Sequence, residues 1–353
     1  MSMKQLVDIT DFSREGLREI LNVMTYVKEN RDIYSREMAN KTLATAFLQA
    51  DRDAETAFNV AVTRMGGNVV KFPFNPGETL KDAVLTMSAF ADAIALSHPK
   101  KGAARAAALY SAVPVINAGD GGRAYPVRTL CDFASVWIEK KHVSNLKIGF
   151  LGDFSNNALI KNLLQCLNLY NGNEFYFISV NGKPIPDDYI SIMDRRDKDF
   201  VVYDNLFEVL PELDVLYMTN VSKSSFETEI MYESRKHNFT LDERMLLAAK
   251  PDLVILHPFP RGEELHASVD SDPRPKYFDG FTRYVDACIV AISKTVGGKA
   301  GRLFKPDFEE STHDAYCGDS ACITSTEKYL PSLFYELADG RLICKYCGKE
   351  LEK

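Results

Sequence analysis

From Lys41 onward, short apolar or β-branched runs alternate with stretches of helical periodicity, and this alternation constrains the fold more than any other feature. TLATAFL, NVVKF, AIALS and PVINAG read as strands, separated by the helices AETAFNVAVTRM, TLKDAVLTMSAF and GAARAAALYSA. A long helix, PVRTLCDFASVWIEKK, leads into a second series: LKIGFLGD, the helix NNALIKNLLQCLNLY, EFYFISV, DFVVYD, DVLYMTNV, the helix LDERMLLAAK and LVILHPFP. Each crossover between parallel strands lays a helix over the sheet, so the pattern predicts α/β architecture with two doubly wound parallel sheets.

A chain of 353 residues is long for a single core. We expect one α/β domain over 1–141, a second over 142–283, a helix over 284–298 packing back on the first, and a small β domain over 303–353. LFKPDFEESTHD, Leu303–Asp314, reads as the linker into that last piece. The net charge of −7 and the lack of a basic, aromatic-interleaved run argue against nucleic-acid or anionic-membrane partners. The opening segment carries charges throughout, unlike a secretory signal, and no window has the apolar length of a membrane span, so a cytoplasmic location is expected.

Seven cysteines are present, of which Cys131, Cys166 and Cys288 are scattered and read as small core residues. Cys317, Cys322, Cys344 and Cys347 form two close pairs separated by 21 residues, the spacing of a tetrahedral structural zinc site. Two disulfides or idle thiols are the alternatives; with no secretion signal, Zn2+ is the expected cofactor. Four cysteines leave no coordination position open, so the metal should stabilise a unit too small to fold alone and take no part in catalysis.

In open α/β sheets ligands collect beyond the carboxyl ends of strands, which singles out QADRD, SHPKKG, NAGDGG, GDFSNN, TNVSK and HPFPR. A helix start is a ready anion site, yet Asp51 and Asp53 stand where the helix after TLATAFL begins. Carboxylates there cap the helix and complement its dipole, and one of them paired with Arg52 or Arg128 would fill the site from within; a new site for a cationic or neutral ligand is the sharper alternative. His98 and His257, each before a proline, read as hydrogen-bonded structural histidines, and Tyr125 as a pocket wall. Arg123, Arg128 and Lys71 are expected to be solvated or paired, although they could build a displaced anion site. KHNFTLDER reads as a solvated charged face.

The stretches TRMGGNVV, GETLKDAV, HPKKGAARAAA, VPVINAGDGG, LYMTNV and HPFPRGEELHASVDSDPRPKYF resemble the catalytic chain of aspartate carbamoyltransferase over nearly all of residues 1–300. The cysteine-rich tail resembles the zinc domain of that enzyme's separate regulatory chain. The resemblance implies a carbamoyl-phosphate-binding domain, an amino-acid-binding domain and a homotrimer with shared active sites. It also implies transfer of a carbamoyl group to the aspartate amine without metal or covalent intermediate. Substrate contacts carried over are Arg52 and the segment His257, Pro258, Phe259 and Pro260, which works largely through backbone carbonyls.

Other matched positions depart from the family pattern. Its Ser-Thr-Arg-Thr-Arg loop is Ala50-Asp51-Arg52-Asp53-Ala54; Ser97 replaces an Arg, Tyr125 a His and Arg128 a Gln. Ala158 and Asn220 stand where arginines bind aspartate, Ser222 replaces a Gln, and Asn75 and Pro76 replace the lysines of a shortened loop. Two functions are therefore expected in competition. One is a catalytically degenerate subunit, structural or regulatory, docking its tail on its own or a partner's carbamoyltransferase chain. The other is an active transferase of altered specificity, rebuilt around Arg52, Tyr125, Arg128 and HPFPR.

Overall fold

The computed structural model describes residues 5–194, 200–296, 315–337 and 340–351. The chain divides into two compact units, residues 1–130 with 284–353, and residues 131–283.

In the first unit, helix α1 (Arg14–Glu29) precedes an alternating series. The series runs β1 (Thr42–Phe47), α2 (Arg52–Arg64), β2 (Asn68–Lys71), α3 (Leu80–Phe90), β3 (Ala93–His98), α4 (Ala103–Tyr110) and β4 (Val115–Asp120). The strands form one parallel sheet in the order β2-β1-β3-β4. β3 and β4 are buried along their whole lengths, which explains their unbroken apolar runs. Helix α5 (Pro126–Lys140) carries the chain onward.

The second unit contains β5 (Lys147–Leu151), α6 (Ala158–Leu167), β6 (Glu174–Ile178), α7 (Asp187–Asp194), β7 (Phe200–Tyr203), α8 (Leu206–Val209), β8 (Val215–Met218), α9 (Glu229–Arg235) and β9 (Val254–Leu256). Its parallel sheet has the order β7-β6-β5-β8-β9. Helix α10 (Tyr277–Val296) starts seven residues before the expected helix at 284, and its portion from Tyr284 belongs to the first unit. The linker expected at 303–314 lies outside the described residues. The tail contributes an antiparallel pair, β10 (Phe334–Glu336) and β11 (Leu342–Cys344).

One expected helix is absent. LDERMLLAAK forms only a single tight turn over Met245–Ala248. The Arg274 guanidinium donates to the carbonyls of Leu246, Ala249 and Lys250, taking acceptors a helix would use, and Pro251 disfavours helical geometry at the residue before it. The adjoining KHNFTLDER segment is not uniformly solvated either, because Phe239 and Leu241 are fully buried in the second core.

Candidate functional site

The order β2-β1-β3-β4 reverses between β1 and β3, which places the ligand crevice of the first unit beyond their carboxyl ends. Ser97 Oγ donates to the Gln49 carbonyl at 2.9 Å, and the N–H groups of Leu48 and Gln49 both donate to the Ser97 carbonyl. At the adjoining helix start, Asp51 is the N-cap of α2, its carboxylate accepting from the Ala54 N–H at 2.9 Å. Arg52 points outward, its side chain 87% exposed, and its Nε donates to Asp53 at 2.9 Å. The cation is thus paired with the next residue in the sequence, in a solvent-exposed contact.

The other nearby cations are also engaged. Lys71 pairs with Glu55 at 3.0 Å. Arg123 lies 2.6 Å from Asp8, a carboxylate that Arg105 approaches at 3.6 Å. Burial pushes Asp8 up, but the two guanidiniums outweigh it and hold the group at about 2. Arg128 is buried, with its guanidinium 5.3 Å from the Tyr284 ring centre.

Tyr125 stands on the backbone of Gly119, where an added Cβ would meet its ring at 2.5 Å. Burial, then the charge of Asp51, raise its hydroxyl above the ordinary range, while a hydrogen bond with the Gln49 side chain opposes them. His98 accepts from the Lys100 N–H through Nδ1 at 3.0 Å, and burial lowers it to about 4. It is a neutral, loop-forming histidine near pH 7. Asp120 accepts from the Gly102 and Ala124 N–H groups, and burial raises it to about 7 against the pull of Arg123.

The second sheet reverses between β5 and β8. Asn157 caps α6 and donates to Thr219 Oγ1 at 2.7 Å; Thr219 Oγ1 in turn donates to the Leu151 carbonyl at 3.2 Å. Ala158 is the first residue of α6 and is buried; Asn220 and Ser222 are exposed, the latter capping a short turn. His257 Nδ1 accepts from the Phe259 N–H, and Nε2 lies 3.1 Å from Glu264. Both side chains are fully buried. Burial pushes Glu264 up, yet hydrogen bonds from His257, Gly262 and Val221 hold it below the usual carboxylate range. The Phe259–Pro260 bond is cis, and Arg261 forms a fork with Asp270 at 2.5 and 2.8 Å. The two ionisable side chains of HPFPR, His257 and Arg261, are thus each engaged by a carboxylate further along the chain.

Asn75 and Glu78 fold the shortened loop into a closed turn: the Asn75 N–H donates to the Glu78 carboxylate at 2.9 Å, and Gly77 adopts a φ of 78°.

In the tail, Cys317, Cys322, Cys344 and Cys347 converge with their sulfur atoms within 4.8 Å of one another. Cys317–Cys347 at 3.5 Å and Cys322–Cys344 at 4.0 Å are far from disulfide length, about 2.05 Å. They are close to the ~3.8 Å edge of a tetrahedron with metal–sulfur bonds near 2.3 Å. Thr324 Oγ1 donates to Cys322 Sγ at 3.2 Å and the Lys349 N–H to Cys347 Sγ at 3.5 Å, as suits thiolate acceptors. The donor set fits a metal ion with a closed shell. Cys131, Cys166 and Cys288 are separately buried.

The tail is seated on the first unit. Ile323, Phe334 and Tyr346 share one apolar core with Leu80, Val84, Met87, Ala103 and Ala107 of α3 and α4. Lys100 and Lys101, whose contacts with the tail are not evident from the sequence, supply polar links to it. Their signal is two adjacent lysines on a strand-end loop of an acidic chain.

Residues 4–137 match the aspartate/ornithine carbamoyltransferase carbamoyl-P binding domain, and residues 144–284 the Asp/Orn binding domain of the same enzymes. The chain belongs to the aspartate/ornithine carbamoyltransferase family. Within it the similarity runs to aspartate carbamoyltransferase catalytic subunits: that of Clostridium novyi (strain NT) is 37% identical over 300 residues, covering 83% of this chain and 98% of its own. The Finegoldia magna subunit is 34% identical with the same coverages. The solved catalytic subunit of M. jannaschii aspartate transcarbamoylase superposes with a TM-score of 0.80 at 30% identity, covering 85% of this chain and all of that one. The matched domains end at residue 284, before the cysteine-rich tail. Among the described residues no helix is long and apolar enough to cross a membrane.

Proposed function

We propose that this chain is a degenerate aspartate carbamoyltransferase homologue with little or no carbamoyl transfer of its own, acting as a structural or regulatory subunit. The observation that carries the reading is the start of α2, where Asp51 caps the helix and Asp53 pairs with Arg52. Carbamoyl transfer requires holding two anionic substrates together and stabilising a departing phosphate, which calls for converging cationic donors. At about 5 Å and an effective dielectric near 20, each carboxylate repels one phosphate charge by roughly 3 kcal/mol. An exposed Arg52 already paired with its neighbour offers too little to offset two such terms. The hydrogen bonds at the two switch points, Ser97 Oγ to the Gln49 carbonyl and Asn157 to Thr219, are in keeping with this reading, since they involve neutral groups where cationic donors would be needed.

In this reading Zn2+ occupies the four-cysteine cluster as a structural ion, and the tail is a regulatory-chain-like domain carried on the same polypeptide. The chain works in the cytoplasm as a homotrimer or alongside a complete carbamoyltransferase chain. The test is the metal-loaded full-length protein assayed for carbamoyl-aspartate and used as bait for a complete catalytic chain encoded by the same genome. No product together with copurification supports the proposal. Turnover comparable to an intact catalytic subunit refutes it.

A further inference from the structure

Both cysteine turns of the tail rest on one loop of the first unit, the segment after β3. Around Cys322, the Lys101 N–H donates to the Ala321 carbonyl and the Ile323 N–H donates to the Lys101 carbonyl, each at 2.9 Å. Lys100 Nζ donates to the Ser320 carbonyl at 2.8 Å, and Lys101 Nζ lies 3.3 Å from the Asp319 carboxylate. From the other turn, Tyr346 presses its backbone on Gly102, where an added Cβ would stand 2.5 Å from the Tyr346 carbonyl. Gly102 also has a φ of 81°, so the position excludes a side chain on two independent grounds.

The held loop reaches directly into the strand-end region. Gly102 N–H donates to Asp120 at 3.0 Å, and Gly121 N–H to the His98 carbonyl at 2.7 Å. Asp120 accepts in turn from Ala124 N–H at 2.9 Å, one residue before Tyr125. Segments 98–102 and 119–124 therefore form one hydrogen-bonded unit with the cysteine turns. The turns themselves are joined by strands of only three residues each, β10 and β11. Four converging thiols on so small a scaffold need an ion to hold them together.

We propose that metal in the Cys317–Cys322–Cys344–Cys347 cluster clamps the loops after β3 and β4, so that metal occupancy sets the shape of the candidate site in the first unit. This rests on the metal reading given above. Loaded, the two cysteine turns grip Lys101 and Gly102 and fix Asp120 and its partners. Stripped of metal, the turns separate, and the loops lose the main-chain bonds flanking Cys322.

Amide hydrogen exchange on the full-length chain tests this, comparing zinc-replete protein with protein stripped by a chelator under reducing conditions, metal content being measured in both. The expected result is at least tenfold faster exchange at residues 98–104 and 119–124 after stripping, with β5 unchanged. Ile323→Pro provides the second arm. Cys322 before it is extended (φ −70°, ψ 146°), and position 323 opens a short helical turn, so the backbone accommodates proline while the bond to Lys101 is lost; Ile323→Ala, which trims the same buried side chain but keeps the N–H, is the control for lost packing. Ile323→Pro should retain zinc yet show faster exchange at Lys101 and Gly102. Bound zinc whose removal leaves both loops equally protected would overturn the clamp alone, as would an unchanged rate in zinc-bound Ile323→Pro. A replete protein without about one metal per chain would overturn the metal reading, and the clamp with it.

Discussion

Ser97 Oγ donates a hydrogen bond to the Gln49 carbonyl at 2.9 Å, tying the ends of β3 and β1 together at the point where the sheet order reverses. A buried hydroxyl in this role contributes about 1 kcal/mol, and its loss leaves a carbonyl lone pair unsatisfied. Ser97→Ala should lower unfolding stability by about 1–2 kcal/mol in denaturant titration and should leave carbamoyl phosphate binding undetectable. Appearance of binding in that variant would mean that the bridge alone, and not the charge balance, closes the site.

Asp51 and Asp53 act on any phosphate chiefly through charge. Asp51→Ser combined with Asp53→Thr keeps an N-cap oxygen, frees Arg52 and removes two repulsive charges. Phosphate affinity, read by calorimetry, should rise at least tenfold over the parent chain, with little change in thermal midpoint. An equal affinity in both proteins would count against electrostatic exclusion.

Asp8 carries two guanidinium partners, the buried Arg105 and the partly buried Arg123. Removing the carboxylate breaks both pairs while Arg105 keeps Asp11 at 3.5 Å, so Asp8→Asn should cost about 3 kcal/mol in equilibrium unfolding. Because its folded-state value is lowered to about 2 from 3.8, the stability it contributes is complete above 3.8 and disappears as pH falls towards 2. Acid unfolding of the variant should be less steep than that of the parent across this window.

Asp120 and His98 titrate in opposite senses. Asp120, raised from 3.8 to about 7, retains a proton in the folded chain that the unfolded chain has released, so its contribution weakens as pH rises through that interval. His98, lowered from 6.5 to about 4, must remain neutral when folded while the unfolded histidine charges; its contribution therefore weakens as pH falls from 6.5 to 4. Plotted against pH, the stability difference between parent and Asp120→Asn should fall from pH 4 to 7, and that between parent and His98→Gln should rise from pH 4 to 6.5. Parallel curves would contradict the burial of these groups.

Much of this was legible in the chain because it is local. The strand runs and their intervening helices follow from periodicity, and Asp51 capping α2 follows from the chemistry of a helix start. The cysteine cluster was legible from spacing alone. Helix α1 precedes the alternation that begins at Lys41 and was not read from it, although Ser13 caps it and Leu17, Ile20, Leu21, Met24 and Val27 share one buried face. What spacing does not encode is interaction at a distance. The failed helix at LDERMLLAAK depends on Arg274, 24 to 28 residues beyond the carbonyls it captures. The seating of the tail depends on α3 and α4 matching a surface made more than two hundred residues later, as in the Lys81 N–H donating to Tyr329 at 2.9 Å.

Two carboxylates at the start of α2, with Arg52 already paired to one of them, should leave a phosphate dianion without a hold. Calorimetric titration of the metal-loaded full-length chain with carbamoyl phosphate, and then with a bisubstrate phosphonate, tests it directly. No heat attributable to a complex tighter than about 1 mM, a binding free energy of roughly −4 kcal/mol, is expected. Saturable binding of either compound at micromolar concentration, abolished by Arg52→Ala, would contradict it.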